Sequence, residues 1–271
     1  MKLIRAFFLV SLLSMVVNVA AVSASEFDHS IWDGLLQKHV HMIRDGRASE
    51  VDYRAFLQKR EELRAYLSQL SAVKASEFAT WAKSEQLAFL INAYNAYTIE
   101  LILTRYPKLD SIKDLGSFLR SPWKKKFVPL LGETRSLDDI EHGMIREKGV
   151  YNEPRIHFAV NCASIGCPAL LNDAFTGAKL AQQLDTVTRA FLADRTRNRY
   201  NVKTGRVEIS KIFDWYREDF ASGWHGWHSL NQFLVHYADN LADTPDAKKK
   251  LVAGGAKIKF LDYDWKLNGT N

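Results

Sequence analysis

The sequence predicts an α+β domain, predominantly helical, with a long central helix and a small, mostly antiparallel sheet. Three observations carry that expectation. The run from Ser84 to Arg105 is apolar and free of Pro and Gly, as a long buried helix requires. Helical apolar periods flank it on both sides. The extended stretches are short and mostly hairpin-linked, unlike the regular strand–helix alternation of a parallel α/β fold.

Ahead of the domain stands an export signal. Lys2 and Arg5 give a positive start, Ala6 to Val17 is almost wholly apolar, and Val22-Ser23-Ala24 offers small residues for cleavage after Ala24. The apolar run is shorter than the ~20 residues a spanning helix needs. Residues 1–24 therefore read as a cleaved secretory signal peptide and 25–271 as one globular domain. The mature chain is expected in the periplasm, with no membrane span.

Asp28 or Ser30 is placed to cap a first helix through Ile31, Leu35, Leu36, His39 and Val40, ended by Gly46. Val51-Asp52-Tyr53 reads as a short extended piece, and Arg54 to Leu70 as a helix on the period of Phe56, Leu57, Leu63, Tyr66, Leu67 and Leu70. The central helix follows and Pro107 stops it. Phe127–Leu131 and Thr134–Leu137 flank Gly132 as a hairpin. Ser136 and Asp139 form a capping box for a helix to about Lys148. Arg155 to Asn161 alternates as a strand, with Arg155, His157, Ala159 and Asn161 on one face and Ile156, Phe158 and Val160 on the other. A helix over 177–194, a hairpin around Lys203-Thr204-Gly205, a helix capped by Ser210, a helix from about Ser229 to Leu241 and a last strand over Lys257–Tyr263 complete the order.

Composition is that of a globular chain with a proper core: 47% hydrophobic, 25% charged. The net charge of +6 falls by two when Lys2 and Arg5 leave. That balance suits an anionic envelope ligand or a wall peptide and is too weak for nucleic-acid binding. The two cysteines, Cys162 and Cys167, are four residues apart. An oxidising compartment favours their disulfide; reduced, they are a reactive thiol and its resolving partner.

The residues able to carry chemistry concentrate in Arg155-Ile156-His157-Phe158-Ala159-Val160-Asn161-Cys162-Ala163-Ser164-Ile165-Gly166-Cys167-Pro168. A polar strand face emptying into a Gly/Pro loop is a common way to build a site. In the catalytic version Cys162 is nucleophile, His157 its base, Asn161 an orienter or oxyanion donor, and Arg155 anchors a ligand carboxylate. Asn92 and Asn95 share one face of the central helix and floor the site, or else tie neighbouring loops to the core. Glu141, His142, Ser164 and Lys211 are further ligand-binding candidates. A zinc site from His142, His157 and Cys162 lacks recognised ligand spacing, so neither metal nor cofactor is expected. The aromatic cluster Trp215, Tyr216, Phe220, Trp224 and Trp227 suits a core, or in an exported protein a surface for stacking sugar rings.

Several segments together resemble one bacterial family, domain of unknown function 547 (DUF547). They are Phe27-Asp28-His29-Ser30-Ile31-Trp32, Asp52-Tyr53, Leu87 to Ala96, Ser136 to His142, Arg155 to Ala159, Asn161 to Pro168 and Ser210 to Tyr216. The resemblance implies a distant papain- or transglutaminase-like arrangement, in which a cysteine opens a helix and a histidine follows on a strand. Here His157 precedes Cys162 and no cysteine opens the helix at Ser84, which departs from that pattern. Two functions follow. One is thiol-dependent hydrolysis or acyl transfer on an envelope peptide or amide. The other is non-catalytic binding of an envelope ligand or partner, with Cys162–Cys167 as a structural bridge. Disulfide exchange fits less well, since the spacing is not Cys-x-x-Cys.

Overall fold

The computed structural model describes residues 26–117, 120–253 and 257–270. The expected signal peptide lies outside the described residues. Helix α1 (Ser30–His39) leads into a hairpin of β1 (Val40–Ile43) and β2 (Ala48–Val51), then α2 (Tyr53–Gln58) and α3 (Arg60–Ala72). The single helix expected over Arg54–Leu70 is broken at Lys59, where φ is −100°. Asp52 opens α2 by accepting the Ala55 amide at 2.8 Å. A short α4 (Ala75–Phe78) precedes α5 (Lys83–Leu103), the spine of the domain. Twenty-one residues reach about 30 Å, and the helix is buried on every side from Glu85 to Ile99. The all-round apolar run therefore does what its sequence predicts. Helices α2 and α3 pack on α5, and α1 packs on α3, with Trp32 stacked on Tyr66 at 5.8 Å between ring centroids.

Beyond α5 come β3 (Val128–Leu130) and β4 (Glu133–Arg135), joined by Leu131 and Gly132. Both loop residues have positive φ, 54° and 82°. A two-residue turn of that kind matches the strand twist, and Gly132 takes its left-handed position without a Cβ clash. The capping box forms as expected: the Ser136 amide and hydroxyl both donate to Asp139, whose amide donates back to the Ser136 hydroxyl. The helix it opens is a π-helix, Asp139–Ile145, shorter than the expected span to Lys148. Helix α6 (Leu180–Ala193) lies against α5. Next come β5 (Arg199–Asn201), β6 (Arg206–Ile209), α7 (Ile212–Trp215), α8 (Leu230–His236), α9 (Ala238–Leu241), α10 (Pro245–Ala253) and β7 (Lys257–Phe260). Strand β6 pairs antiparallel with β5 and parallel with β7. Among the described residues the extended structure is thus three small sheets, and the final strand is three residues shorter than Lys257–Tyr263.

One expected strand takes another form altogether. Arg155 to Asn161 is not a strand; Pro154–Phe158 is a 3₁₀-helix. Pro154 sits at its first position, where a missing N–H costs nothing, and Glu153 caps it by accepting the Arg155 amide. Ile156, His157 and Phe158 are all buried, so the alternation in the sequence does not produce alternating faces. The segment packs on α6 instead of pairing with a strand.

Candidate functional site

A cavity of about 270 Å³ opens between the π-helix, the Cys162–Cys167 loop, α7 and the C-terminal segment. One wall is aromatic. Trp123, Trp215, Tyr263 and Trp265 pack on one another, with centroids 4.5 Å apart for Tyr263–Trp265, 4.9 Å for Trp215–Tyr263, 5.6 Å for Trp215–Trp265 and 5.8 Å for Trp123–Trp265. Asp138, Glu141 and His142 contribute polar groups, and Tyr94, Tyr216 and His157 lie deeper. Among the described residues no Lys or Arg lines this cavity.

Each wall follows from local folding. The π-helix puts Asp138 just ahead of its first turn and Glu141 within it. Glu141 is 6% exposed, and its carboxylate accepts the Tyr216 hydroxyl at 2.7 Å. Burial, and after it the Glu141 charge, push the Tyr94 and Tyr216 phenols far above their ordinary range, so both stay protonated beside that carboxylate. Tyr216 also stacks on His157, with centroids 3.9 Å apart, and carries the Arg146 guanidinium 4.8 Å from its own.

His157 is 2% exposed, and its Nε2 lies 2.7 Å from Asp219 Oδ2. Arg146 holds the same carboxylate through Nε at 2.6 Å and Nη2 at 3.0 Å. Burial raises the Asp219 pKa, but the hydrogen bonds from His157 and Arg146 outweigh it and leave the carboxyl well below its usual range. Burial lowers the His157 pKa against the pull of Asp219. The neutral ring donates Nε2–H to Asp219, and its buried Nδ1 has no hydrogen-bond partner among the described residues.

Cys162 and Cys167 are joined by a disulfide. Their loop is braced from two sides. From beneath, the Asn95 amide donates to the Ala159 carbonyl at 2.9 Å and accepts the Asn161 N–H at 2.8 Å. Asn161 in turn donates to the Pro168 carbonyl and accepts the Ala163 N–H, which holds Ala163 at φ 61°. From outside, the C-terminal segment accepts the Ile165 and Gly166 amides at Lys266 and Asp264. The Tyr263 hydroxyl lies 3.1 Å from Cys162 Sγ and 3.2 Å from Cys167 Sγ. A Cβ on Gly166 would meet the Tyr263 ring at 2.9 Å, so only glycine lets the ring lie there.

The sequence candidates divide cleanly. His157, Cys162, Glu141 and His142 share the cavity. Arg155 does not line it: its guanidinium is paired with Glu153 at 2.8 and 2.6 Å and lies over Trp224. Lys211 is paired with Asp214 at 2.7 Å. Asn92 is fully buried and bonds both the amide and the carbonyl of Phe175, so Asn92 and Asn95 brace loops and have no amide free for a ligand. Asn161 is a brace rather than the partner of His157, a place taken by Asp219. Ser164 is buried beneath the disulfide, 3.3 Å from Cys162 Sγ and 3.2 Å from the Tyr263 hydroxyl. In the bonded form Cys162 has no thiol to act as nucleophile. Among the described residues no group of His, Cys, Asp or Glu is arranged to hold a metal ion.

Sequence reasoning missed Asp219, Arg146, Tyr94, Trp123 and Asp138. Asp219 follows Trp215-Tyr216 by only a turn, and that proximity was the one local signal. The aromatic cluster also splits. Phe220 is core with Phe158, Phe213 and Phe233, while Trp224 and Trp227 pack together by Phe233 and His236. Only Trp215 and Tyr216 of that cluster reach the cavity.

Residues 78–192 match the family model described as "Protein of unknown function, DUF547". This segment, less than half of the chain, is similar to the DUF547 family. The DUF547 segment runs from the end of α4 almost to the end of α6. It carries the polar side of the cavity and the disulfide loop, while Trp215, Tyr263 and Trp265 of the aromatic wall come from beyond it. No curated protein and no solved structure matches the chain.

Proposed function

We propose that this chain is an exported envelope protein that binds a saccharide in the aromatic-walled cavity, with Cys162–Cys167 as a structural bridge. The observation that carries the reading is the cluster of Trp215, Tyr263 and Trp265, rings in mutual contact and tilted 31–54° to one another, in one cavity with Glu141 and Asp138. Flat aromatic faces suit the C–H faces of pyranose rings, and carboxylates accept sugar hydroxyls. The rings touch each other, which leaves no space between them to enclose a small cation as an aromatic cage does. A disulfide-bonded pair also fits the oxidising compartment that the leader sequence predicts. The test is a titration of the purified mature chain with a panel of wall and surface oligosaccharides, read by tryptophan fluorescence. Binding by one class, lost in Trp215→Ala and Trp265→Ala, supports the reading; no response across the panel removes it.

A second reading, thiol-dependent acyl transfer or hydrolysis, is favoured by the presence of Cys162 and the Asp219-held His157 in the same cavity. It requires the reduced form, with His157 Nδ1 taking the thiol proton. A cysteine-directed activity probe that labels Cys162 only after reduction, and fails in His157→Gln, supports it. Absence of labelling in fully reduced protein rules it out.

A further inference from the structure

We infer that the ligand is an amino saccharide with a free primary ammonium, which Glu141 anchors in the cavity. This rests on the saccharide reading and names its ligand class.

The argument starts from charge. The chain carries more Lys and Arg than Asp and Glu, 37 against 31. Its aromatic-walled cavity reverses that balance. Asp138 and Glu141 line it, and among the described residues no Lys or Arg does. Glu141 is the more informative of the two. The residue is 6% exposed, yet within the described structure its carboxyl group's hydrogen-bond partner is the neutral Tyr216 hydroxyl, with the neutral Tyr94 phenol beside it. A buried carboxylate is ordinarily paired with a cation, because removing it from water is costly. The nearby cation, Arg146, is already committed to Asp219 through two nitrogens. Glu141 therefore presents a buried carboxyl group, with no cation bonded to it among the described residues, to a cavity with room for one.

The second observation concerns shape. The aromatic rings, tilted 31–54° to one another, offer adjoining faces on which a ring-shaped ligand can stack, and they do not surround an isolated ammonium. One of these rings also shows its affinity for ammonium: the Lys113 Nζ, which does not line the cavity, sits 3.7 Å from the Trp265 centroid. A pyranose stacked on these faces and bearing an amine meets both demands. An N-acetylated sugar offers the ring but no charge, and an anionic sugar would place like charge against Glu141. The anionic envelope ligand expected from net charge alone is thus disfavoured at this cavity.

The experiment is calorimetric titration of the disulfide-bonded mature chain with the tetramer of glucosamine and, separately, its fully N-acetylated counterpart, at a pH where the free amine is protonated. The free-amine tetramer should bind at least about ten-fold tighter, a preference typical of one charge-assisted contact. Raising the salt should narrow the gap. Glu141→Gln should abolish the preference while Trp265→Ala weakens both tetramers. If Glu141→Gln fails to fold by circular dichroism, Asp138→Asn and the wild-type salt series decide: a gap that narrows with salt and survives Asp138→Asn supports Glu141 as the anchor, whereas a gap insensitive to salt, or one lost in Asp138→Asn, overturns it. Equal affinity for the two tetramers, or a preference that survives Glu141→Gln, overturns the ammonium anchor and leaves saccharide binding standing. If neither tetramer binds, but a lysine-bearing wall peptide does, both the anchor on a sugar and the saccharide reading fall.

Discussion

Replacing Asn95 by Ala isolates the contact that ties the disulfide loop to the spine. The side chain is 2% exposed and makes two bonds, to the Ala159 carbonyl at 2.9 Å and from the Asn161 N–H at 2.8 Å. Removing the amide strands a buried acceptor and a buried donor on the same loop. Each stranded group costs about 1–3 kcal/mol, so the pair predicts a loss of about 2–6 kcal/mol, depending on whether water enters the vacated space. That is a large fraction of the stability of a typical domain. The assay is urea unfolding of the disulfide-bonded protein, followed by far-ultraviolet circular dichroism and tryptophan fluorescence, with the denaturant slope checked for constancy. The midpoint should fall while the slope stays unchanged. Asn95→Asp should not rescue it, because a carboxylate accepts the Asn161 N–H but cannot donate to the Ala159 carbonyl. A loss below about 1 kcal/mol would refute the bracing role and return Asn95 to the list of side chains available to a ligand.

Other outcomes follow from the same geometry. His29 is buried against the Tyr66 hydroxyl at 2.7 Å, and burial lowers its pKa from 6.5 to about 4. Between those values the unfolded chain binds the proton and the folded one does not, so stability is full above the unfolded pKa and falls as pH drops toward 4. The linkage amounts to about 3 kcal/mol, and His29→Gln should flatten that part of the stability–pH curve. Gly166→Ala pushes a methyl into the Tyr263 ring; it should cost about 1–3 kcal/mol by overpacking and weaken ligand binding through the displaced wall. Reducing Cys162–Cys167 opens a very short loop and should lower stability by on the order of 2 kcal/mol in thermal unfolding. Intact mass of the protein recovered from the periplasm should start at Ser25 and show no alkylation before reduction; a retained leader or two blocked thiols would contradict export in the bridged form.

The sequence disclosed elements whose signals are local. The spine α5 declares itself by an uninterrupted apolar run, the β3–β4 turn by Gly132, and the π-helix start by Ser136 and Asp139. The 3₁₀-helix at Pro154–Phe158 was misread because alternation is only half of a strand's requirement; the other half is a partner edge, and none lies alongside. Half of the cavity was legible. Cys162, His157, Glu141 and His142 converge as their clustering suggested, but the group that orients His157 comes from Asp219, 62 residues away in the chain. Arg155 was misassigned because its neighbour Glu153, two residues back, neutralises it. The aromatic wall joins Trp123, Trp215, Tyr263 and Trp265, and the parallel pairing of β7 on β6 carries the chain toward the last two. Neither partnership has a sequence period to reveal it.

The most direct test of the binding account uses the indole N–H signals of the seven tryptophans, followed by ¹⁵N-resolved NMR while the glucosamine tetramer is added to the bridged mature chain. The account predicts that the signals of Trp123, Trp215 and Trp265 move together and saturably, while those of Trp32, Trp81, Trp224 and Trp227 stay in place. Shifts confined to Trp224 and Trp227, or no saturable shift at all, would contradict it.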